Sequence, residues 1–273
     1  MTPIELIILA LSGIFAGVLA GFLGIGGGTV LVPLLISLGN ESIQSIATSS
    51  LSIVITASAG SIQNWRMGYL DIKNVLGMGL PALLTAQIGV LLANSFPEYI
   101  LLSTFGLLLV SNIYLVELRK QVVAKKKAAE AEIENQEIAD NTSNNVNQNK
   151  KFQHRIITGG TGGLLAGLFG VGGGVIMVPL QIILLNETIK KAIQTSLGVI
   201  VITAISATIG HAYSGNVLWS TGLILGFGGL LGVQFSTRFL PKLPDKLVSL
   251  AFKSLLAILS TYIFWRAWQS FSI

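Results

Sequence analysis

The sequence predicts an all-α integral membrane protein made of two inverted helical repeats, each containing a helical unit that is broken by glycines. Three observations predict this fold class. Of the 273 residues, 52% are hydrophobic and only 11% are charged, whereas about 25% charged residues are usual in soluble domains. Apolar stretches long enough to cross a bilayer recur along the chain. The segment GFLGIGGGTVLVPLL (21–35) returns almost unchanged as GLFGVGGGVIMVPLQ (167–181).

The apolar stretches are predicted to be transmembrane helices, because a crossing takes about 20 residues and lipid offers no partner for exposed backbone polar groups. The first of them lacks the basic residues and the cleavage site of a signal peptide, so no cleaved leader is expected. The predicted helical stretches are Ile4–Phe22, Ile43–Gln63, Val75–Ser95, Ile100–Val116, Ile189–Gly210, Val217–Phe235 and Leu247–Trp268.

A nearly constant offset between matching residues indicates a tandem duplication. The offset is 146 in the first part of each half and 147 after a one-residue insertion. The matching pairs are Gly24 and Gly170, Asn40 and Asn186, Ser50 and Ser196, then Gly68 and Gly215, Gln87 and Gln234, and Pro97 and Pro244. The chain is therefore predicted to contain a first membrane repeat (1–118), a charged and disordered linker (119–155), and a second membrane repeat (156–273).

The distribution of Lys and Arg predicts the orientation. If the linker is cytoplasmic, the basic residues of the short loops also fall inside, as the positive-inside rule requires; Arg266 is the exception. The residues that agree are Arg66, Lys73, Lys190, Lys191, Arg238, Lys242 and Lys246. Each glycine-broken unit must then enter and leave on the same face, which makes the halves inverted. The simplest such unit is a helix that dips in, breaks at the glycines and returns; a full double crossing has the same parity.

The two glycine triplets are the leading candidates for a substrate site. A helix that opens inside a membrane leaves unsatisfied N–H groups and a partial positive charge, which together bind anions. Paired broken helices in inverted repeats are typical of transporters with a site near the midplane. The candidate backbone comprises Gly26, Gly27, Gly28, Gly172, Gly173 and Gly174. A nucleotide loop is not predicted, since neither triplet is followed by Lys-Ser/Thr.

Other glycines have a simpler interpretation. They recur every four residues, a spacing that permits close packing between membrane helices. This packing group consists of Gly13, Gly17, Gly21, Gly159, Gly163 and Gly167.

Polar side chains in the apolar segments are further candidates, and each has a structural alternative. Hydroxyls in membrane helices often bond to their own backbone, and glutamines often tie helices together. His211, which is either an interfacial histidine or part of the pathway, titrates near neutral pH and is the candidate for proton coupling. The candidate substrate-binding side chains are Ser49, Ser50, Thr195, Ser196, Asn64, His211, Gln87 and Gln234. No cofactor or metal site is predicted, because the chain has two histidines and no cysteine.

The duplicated motifs resemble those of the sulfite exporter TauE/SafE family of membrane permeases. The resemblance rests on GFLGIGGGTVLVP and GLFGVGGGVIMVP, each followed by a Ser/Thr-Ser-Leu element and a later glycine, at Gly68 and Gly215. It implies a multi-pass protein of the bacterial inner membrane that transports small sulfur-containing anions such as sulfite, sulfoacetate or other organosulfonates. Cysteine-dependent thiosulfate uptake does not fit a chain without cysteine.

The functional prediction is a secondary transporter that works by alternating access. A passive anion channel that uses the same backbone donors is the alternative. An enzyme is not predicted, because no nucleophile–base or metal constellation is present, and nucleic-acid binding would need a soluble basic face. The expected partners are a small anionic substrate, protons as the coupling ion, and membrane lipid. Direction, exact substrate and assembly into a homo-oligomer stay open at this stage.

Overall fold

The computed structural model describes residues 3–111, 113–114 and 144–271. The regular secondary-structure elements of these residues are all helices, as predicted, and six of the helices are long and apolar enough to cross a membrane. The helices are α1 (Pro3–Leu23), α2 (Gly28–Ser37), α3 (Ser42–Arg66), α4 (Ile72–Ser95), α5 (Glu98–Ser111), α6 (Asn144–Phe169), α7 (Gly174–Leu184), α8 (Ile189–Tyr213), α9 (Trp219–Phe239) and α10 (Asp245–Phe271), with a 3₁₀ turn at Leu240–Lys242.

The linker prediction lies largely outside the described residues. Its last part is described, however, and Asn144 already begins α6. The helix that leads into the second glycine unit therefore starts twelve residues before position 156, where the sequence predicts the second repeat to begin. The predicted stretch Ile100–Val116 likewise extends beyond α5 into residues outside the described part.

Each glycine-broken unit consists of one long and one short helix. The 21 residues of α1 span about 31 Å, enough to cross a hydrocarbon core of about 30 Å. The 10 residues of α2 reach about 15 Å. In the second half, α7 is similarly short, with 11 residues. The simplest unit predicted from the sequence is a helix that enters the membrane part of the way, breaks and returns. Helix α1 differs from this prediction, because the apolar run before the glycines is itself long enough to span a bilayer.

The long helices pack closely along neighbours through their small residues. A Cβ atom added at Gly13 or Gly17 would overlap the backbone of α9 at Leu225 and Gly229, in that order. Side chains are excluded because the two backbones nearly touch, which confirms the packing role predicted from the glycine spacing. The matching order along both helices shows that α1 and α9 run in the same direction.

The second half repeats this arrangement between α6 and α4. Added Cβ atoms at Gly159 and Gly163 would overlap the Met78 and Ala82 carbonyl oxygens. These two helices also run in the same direction.

Contacts around the glycine segments correct the predicted register between α3 and α8. Gly24 lies against Ile193 and Gly170 lies against Ile46, while Ile53 and Ile200 occupy matching positions beside Gly28 and Gly174. The matching isoleucines, Ile46 with Ile193 and Ile53 with Ile200, are therefore 147 positions apart. The sequence predicts an offset of 146 as far as Ser50 and Ser196. The structural counterpart of Ser49 is therefore Ser196, and the extra residue lies in the loop that precedes α8.

The helix directions define two faces of the molecule. We call one the Asn40 face; there α2 ends and α3 and α9 begin. The other is the Glu187 face, where α7 ends and α4 and α8 begin. Contacts that progress in order along each pair show that α3 runs parallel to α9 and α4 runs parallel to α8.

Candidate functional site

Two glycine loops meet at the centre of the molecule. The first loop (24–27) joins α1 to α2, and the second loop (170–173) joins α6 to α7. A Cβ atom at Gly28 would overlap the Gly170 carbonyl oxygen, and one at Gly174 would overlap that of Gly24. Beside them lie Ile53 and Ile200, which occupy the middle of α3 and α8. The loops therefore touch each other halfway along the two central helices.

The middle position of each glycine triplet depends on glycine for its backbone conformation. Gly27 and Gly173 cap the short helices with φ angles of 83° and 79°, in the left-handed region that glycine adopts without steric cost. This turn lets a long helix end and a short one begin within a few residues. The short helices α2 and α7 then leave the centre toward the Asn40 and Glu187 faces, respectively.

The turn leaves a cluster of backbone donors at the centre. Among the described residues, the N–H groups of positions 25–29 and 171–175 have no protein acceptor, as expected for the first residues of a helix. The surroundings are apolar, and Ile25, Val171, Ile53 and Ile200 are fully buried. Two positive helix ends therefore share one low-dielectric region, a combination that favours a small anion.

The predicted hydroxyls make different contacts. The Ser49 hydroxyl donates to the Gly170 carbonyl oxygen at 2.8 Å and so reaches the second loop. Ser50 bonds back to the Ile46 carbonyl of its own helix, which is the structural alternative for such residues. The Ser196 hydroxyl accepts a hydrogen bond from the Gln181 amide at 2.7 Å. Thr195 is fully buried and its hydroxyl has no partner.

Asn64 and His211 occupy matching positions near the far ends of α3 and α8. Each lies about 16 Å along its helix from the central isoleucine, and they lie at opposite faces. The His211 Nε2 atom donates to the Gly167 carbonyl oxygen at 3.0 Å, while Nδ1 has no partner. Asn64 is fully buried, and neither amide atom has a partner. The structure therefore places neither residue beside the glycine triplets, but His211 bonds the end of α6 three residues before the second loop.

The two predicted glutamines have different surroundings. The Gln87 amide donates to the backbone oxygen of Ser206 at 2.6 Å and to its hydroxyl at 2.9 Å. It therefore ties α4 to α8. Gln234 is exposed on α9. Neither side chain lies at the glycine loops in this structure.

Two threonines near the loops are not among the sequence-predicted residues. The Thr203 hydroxyl donates to the Gly172 carbonyl oxygen at 3.0 Å. Thr203 lies seven residues after Ser196, two helical turns along one face, a spacing that would have indicated it. Thr29 directly follows the first triplet, and its fully buried hydroxyl has no partner. The sequence could have indicated Thr29, because it is a polar residue in the first turn of α2, directly after the glycine triplet.

A helical membrane fold in which the glycine loops of two broken helices meet is typical of membrane transporters. Comparison with known proteins gives the family. The sequence pattern described as "Sulfite exporter TauE/SafE" matches residues 9–263. The chain therefore belongs to the TauE/SafE family of membrane transporters and is a multi-pass membrane protein.

Proteins with similar sequences occur in bacteria and archaea. The chain is 27% identical to the "Probable membrane transporter protein YunE" of Bacillus subtilis, over 86% of this chain and 90% of the relative. It is 27% identical to a "Probable membrane transporter protein" of Xylella fastidiosa over 99% of both chains. A relative from Methanocaldococcus jannaschii, "Probable membrane transporter protein MJ0441", is 26% identical over 86% of this chain and 88% of the relative. No solved structure matches the chain significantly.

Proposed function

We propose that this protein is a secondary transporter that carries small sulfur-containing anions, such as sulfite, sulfoacetate or other organosulfonates, by alternating access. The observation that carries the proposal is the meeting of two short-helix N-termini whose backbone N–H groups have no protein acceptor. A sulfite or sulfonate group presents several oxygens around one sulfur atom. It can therefore accept hydrogen bonds from both helix ends at once.

The chemistry of the centre supports an anion over a cation. Each helix N-terminus carries about half a positive charge, and backbone N–H groups only donate. The surrounding isoleucines and valines offer no carboxylate, and their low polarity strengthens the attraction between the anion and these dipoles. Both helix ends act on the same point because Gly28 and Gly174 pack directly against the opposite loop.

The helix directions support inverted repeats, in which the two halves have opposite orientations. The helix pair α1 and α9 runs from the Asn40 face to the Glu187 face, whereas α6 and α4 run the other way. The short helices also diverge, α2 toward the Asn40 face and α7 toward the Glu187 face. Such a relation gives a central site two equivalent routes, one to each face.

The basic residues support a cytoplasmic Glu187 face. Arg66 and Lys73 flank the connection from α3 to α4, while Lys190 and Lys191 begin α8, all at this face. Under the positive-inside rule, this face and the linker after α5 are cytoplasmic in a bacterial inner membrane. Transport then connects the cytoplasm with the Asn40 side, and protons are the proposed coupling ion.

Uptake into proteoliposomes tests this proposal. The purified full-length protein would be assayed with labelled sulfite, sulfoacetate and a neutral sulfone of similar size, with and without an imposed pH gradient. The proposal predicts saturable flux of the anions that the gradient drives uphill, and no flux of the neutral compound. Flux that never exceeds equilibrium would indicate a passive anion channel. Absence of flux for every sulfur anion would overturn the substrate class.

A further inference from the structure

We infer that the two glycine loops are locked alternately by matching sets of side chains, and that this structure has the second loop locked and the first loop released. The inference rests on the proposed alternating-access function. It assigns Ser49, Thr203 and His211 as positioning residues for the second loop. It assigns Ser196, Thr56 and Asn64, their counterparts at an offset of 147, to the same role for the first loop in the opposite state.

The second loop and the helix leading into it are held by three side-chain hydrogen bonds. All three are donated to backbone carbonyl oxygens of the second unit by residues of the central helices α3 and α8. The bonds join Ser49 to Gly170 at 2.8 Å, Thr203 to Gly172 at 3.0 Å, and His211 to Gly167 at 3.0 Å. The Thr203 hydroxyl is shared with the Ile200 carbonyl oxygen of its own helix at 3.1 Å. These contacts extend from the end of α6 to the first residue of the triplet.

The counterparts in the first unit make none of these bonds. Ser196 is engaged by the Gln181 side chain of α7. The Thr56 hydroxyl donates to the Ser52 carbonyl of its own helix at 3.0 Å. Asn64 is fully buried with no partner for either amide atom. The carbonyls that correspond to those of the locked loop therefore accept no side-chain bond: Gly21, Gly24 and Gly26.

Packing around the loops has the same asymmetry. A Cβ atom at Gly173 would overlap the Gly162 carbonyl oxygen, whereas one at Gly27 would lie 3.1 Å from the Ala16 carbonyl oxygen. At the preceding position the nearest atom, of Ile200 in both cases, is 2.8 Å away for Gly172 and 3.2 Å away for Gly26. The first loop therefore has more room to move.

The two faces differ in the corresponding way. At the Glu187 face, the Asn74 amide bonds both Asp71 and Glu187, and Lys191 pairs with Glu187 at 3.0 Å. In addition, His154 Nδ1 donates to the Leu184 carbonyl oxygen at 2.9 Å. These bonds fasten the end of the second unit to α4, α6 and α8.

The Asn40 face has a cavity of about 300 Å³ at the corresponding place. Its lining includes Leu38, Asn40 and Thr221, whose counterparts in the opposite halves, Leu184, Asn186 and Asn74, lie at the Glu187 face. The end of the first unit also accepts hydrogen bonds, from Asn40 to the Leu35 carbonyl oxygen and from Arg266 to that of Ile36, but it borders this cavity. The locked second loop thus accompanies a Glu187 face fastened to three helices, and the released first loop accompanies a cavity at the Asn40 face.

The opposite state follows from exchanging the roles of the halves. Three bonds to the second unit would break, and Ser196, Thr56 and Asn64 would form the matching bonds to Gly24, Gly26 and Gly21. Because three side-chain bonds to one unit would be exchanged for three to the other, the two states can lie close in free energy, as alternating access requires. The partnerless amide of Asn64 gains its acceptor in that state.

Cysteine accessibility tests the locks, since the chain has no native cysteine. Matched single-cysteine reporters are Leu38→Cys at the Asn40 face and Leu184→Cys at the Glu187 face. Alkylation rates would be measured without substrate in oriented membrane vesicles that contain the full-length protein. Thr203→Val, with Ser49→Ala as a second variant, should raise the ratio of the Leu184→Cys rate to the Leu38→Cys rate about five-fold, as expected for loss of one net hydrogen bond. Thr56→Val should lower that ratio.

Opposite shifts in the Thr203→Val and Thr56→Val proteins would support the inference. An unchanged ratio in both second-loop variants, or shifts in the same direction for the two threonines, would overturn it. Because alkylation needs no substrate, its result is separate from the flux assay. Opposite shifts in a protein that does not transport sulfite would support the locks and contradict the proposed substrate. Sulfite flux together with unchanged ratios of the alkylation rates would contradict the locks and support the proposed transport function.

Discussion

The glycines of the long helices and the glycines of the loops serve different physical purposes. At Gly17 the backbone of α9 occupies the space of a side chain, so the residue must be small. At Gly27 a Cβ atom would have 3.1 Å to its nearest neighbour, but the φ angle of 83° disfavours any other residue. One group sets how closely helices approach, and the other sets where a helix begins. Substitutions should therefore damage folding in the first group and transport in the second.

The first expected effect is large and comes from packing alone, at a glycine of a long helix. Gly159→Ala would place a Cβ atom on the Met78 backbone, and overpacking of this kind costs about 3 kcal/mol. Its neighbour provides the control, because a Cβ atom at Gly160 would have only a Thr85 methyl at 3.8 Å. Gly160→Ala should be neutral or stabilise α6 by up to about 1 kcal/mol. Thermal unfolding in detergent measures both, and equal losses would refute the packing argument.

The second effect distinguishes the two loops. Gly173→Ala meets both an unfavourable φ angle and the Gly162 carbonyl, whereas Gly27→Ala meets mainly the unfavourable angle, which costs about 1–2 kcal/mol. We expect Gly173→Ala to unfold at a lower temperature than Gly27→Ala. The Gly27→Ala protein should stay folded but lose sulfite flux, since its loop backbone is displaced. Normal flux in folded Gly27→Ala protein would argue against the backbone site.

A smaller effect separates the equivalent glutamines. Gln87→Leu removes the tie to Ser206, and such bonds between membrane helices contribute about 0.6 kcal/mol on average. Gln234→Leu changes an exposed side chain and should leave stability unchanged or slightly raised in lipid. Unfolding of both variants in the same detergent measures the difference. A larger loss for Gln234→Leu would mean that α9 has a contact not seen here.

The smallest expected effect is at the Glu187 face. Lys191 is 46% exposed and pairs with Glu187 at 3.0 Å, and exposed ion pairs contribute at most about 1 kcal/mol. Lys191→Gln should lower the unfolding temperature only slightly, and the difference from wild type should shrink at high salt. The measurement is thermal unfolding at two salt concentrations. A large, salt-independent loss would indicate a role beyond the ion pair.

The sequence predicts most of the architecture because bilayer thickness and backbone hydrogen bonding restrict the choices. Apolar length locates the helices, and the glycine triplets locate the breaks between α1 and α2 and between α6 and α7. The spacing of Gly13 and Gly17 predicts their packing role. These features depend on local composition, so they can be predicted from the sequence alone.

Other features depend on three-dimensional contacts. The offset of 147 between α3 and α8 follows from which isoleucine touches which loop. Sequence comparison does not show it, because Ser50 and Ser196 are both serines and match at an offset of 146. Gln87 and Gln234 match in sequence, but only the first faces another helix. Ser49 reaches the opposite half, whereas Ser50 bonds to its own turn. One helical step of about 100° decides between these outcomes, and repeat matching carries no such information.

The central claim is that an anion binds between the opposed N-termini of α2 and α7. The most direct measurement is the structure of the full-length protein with selenite, a sulfite analogue whose selenium atom is located by anomalous scattering. The account predicts a selenium peak between the loops, with selenite oxygens within hydrogen-bonding distance of the Gly28 and Gly174 amide nitrogens. A peak elsewhere in the protein, with none between the loops at saturating selenite, would contradict it.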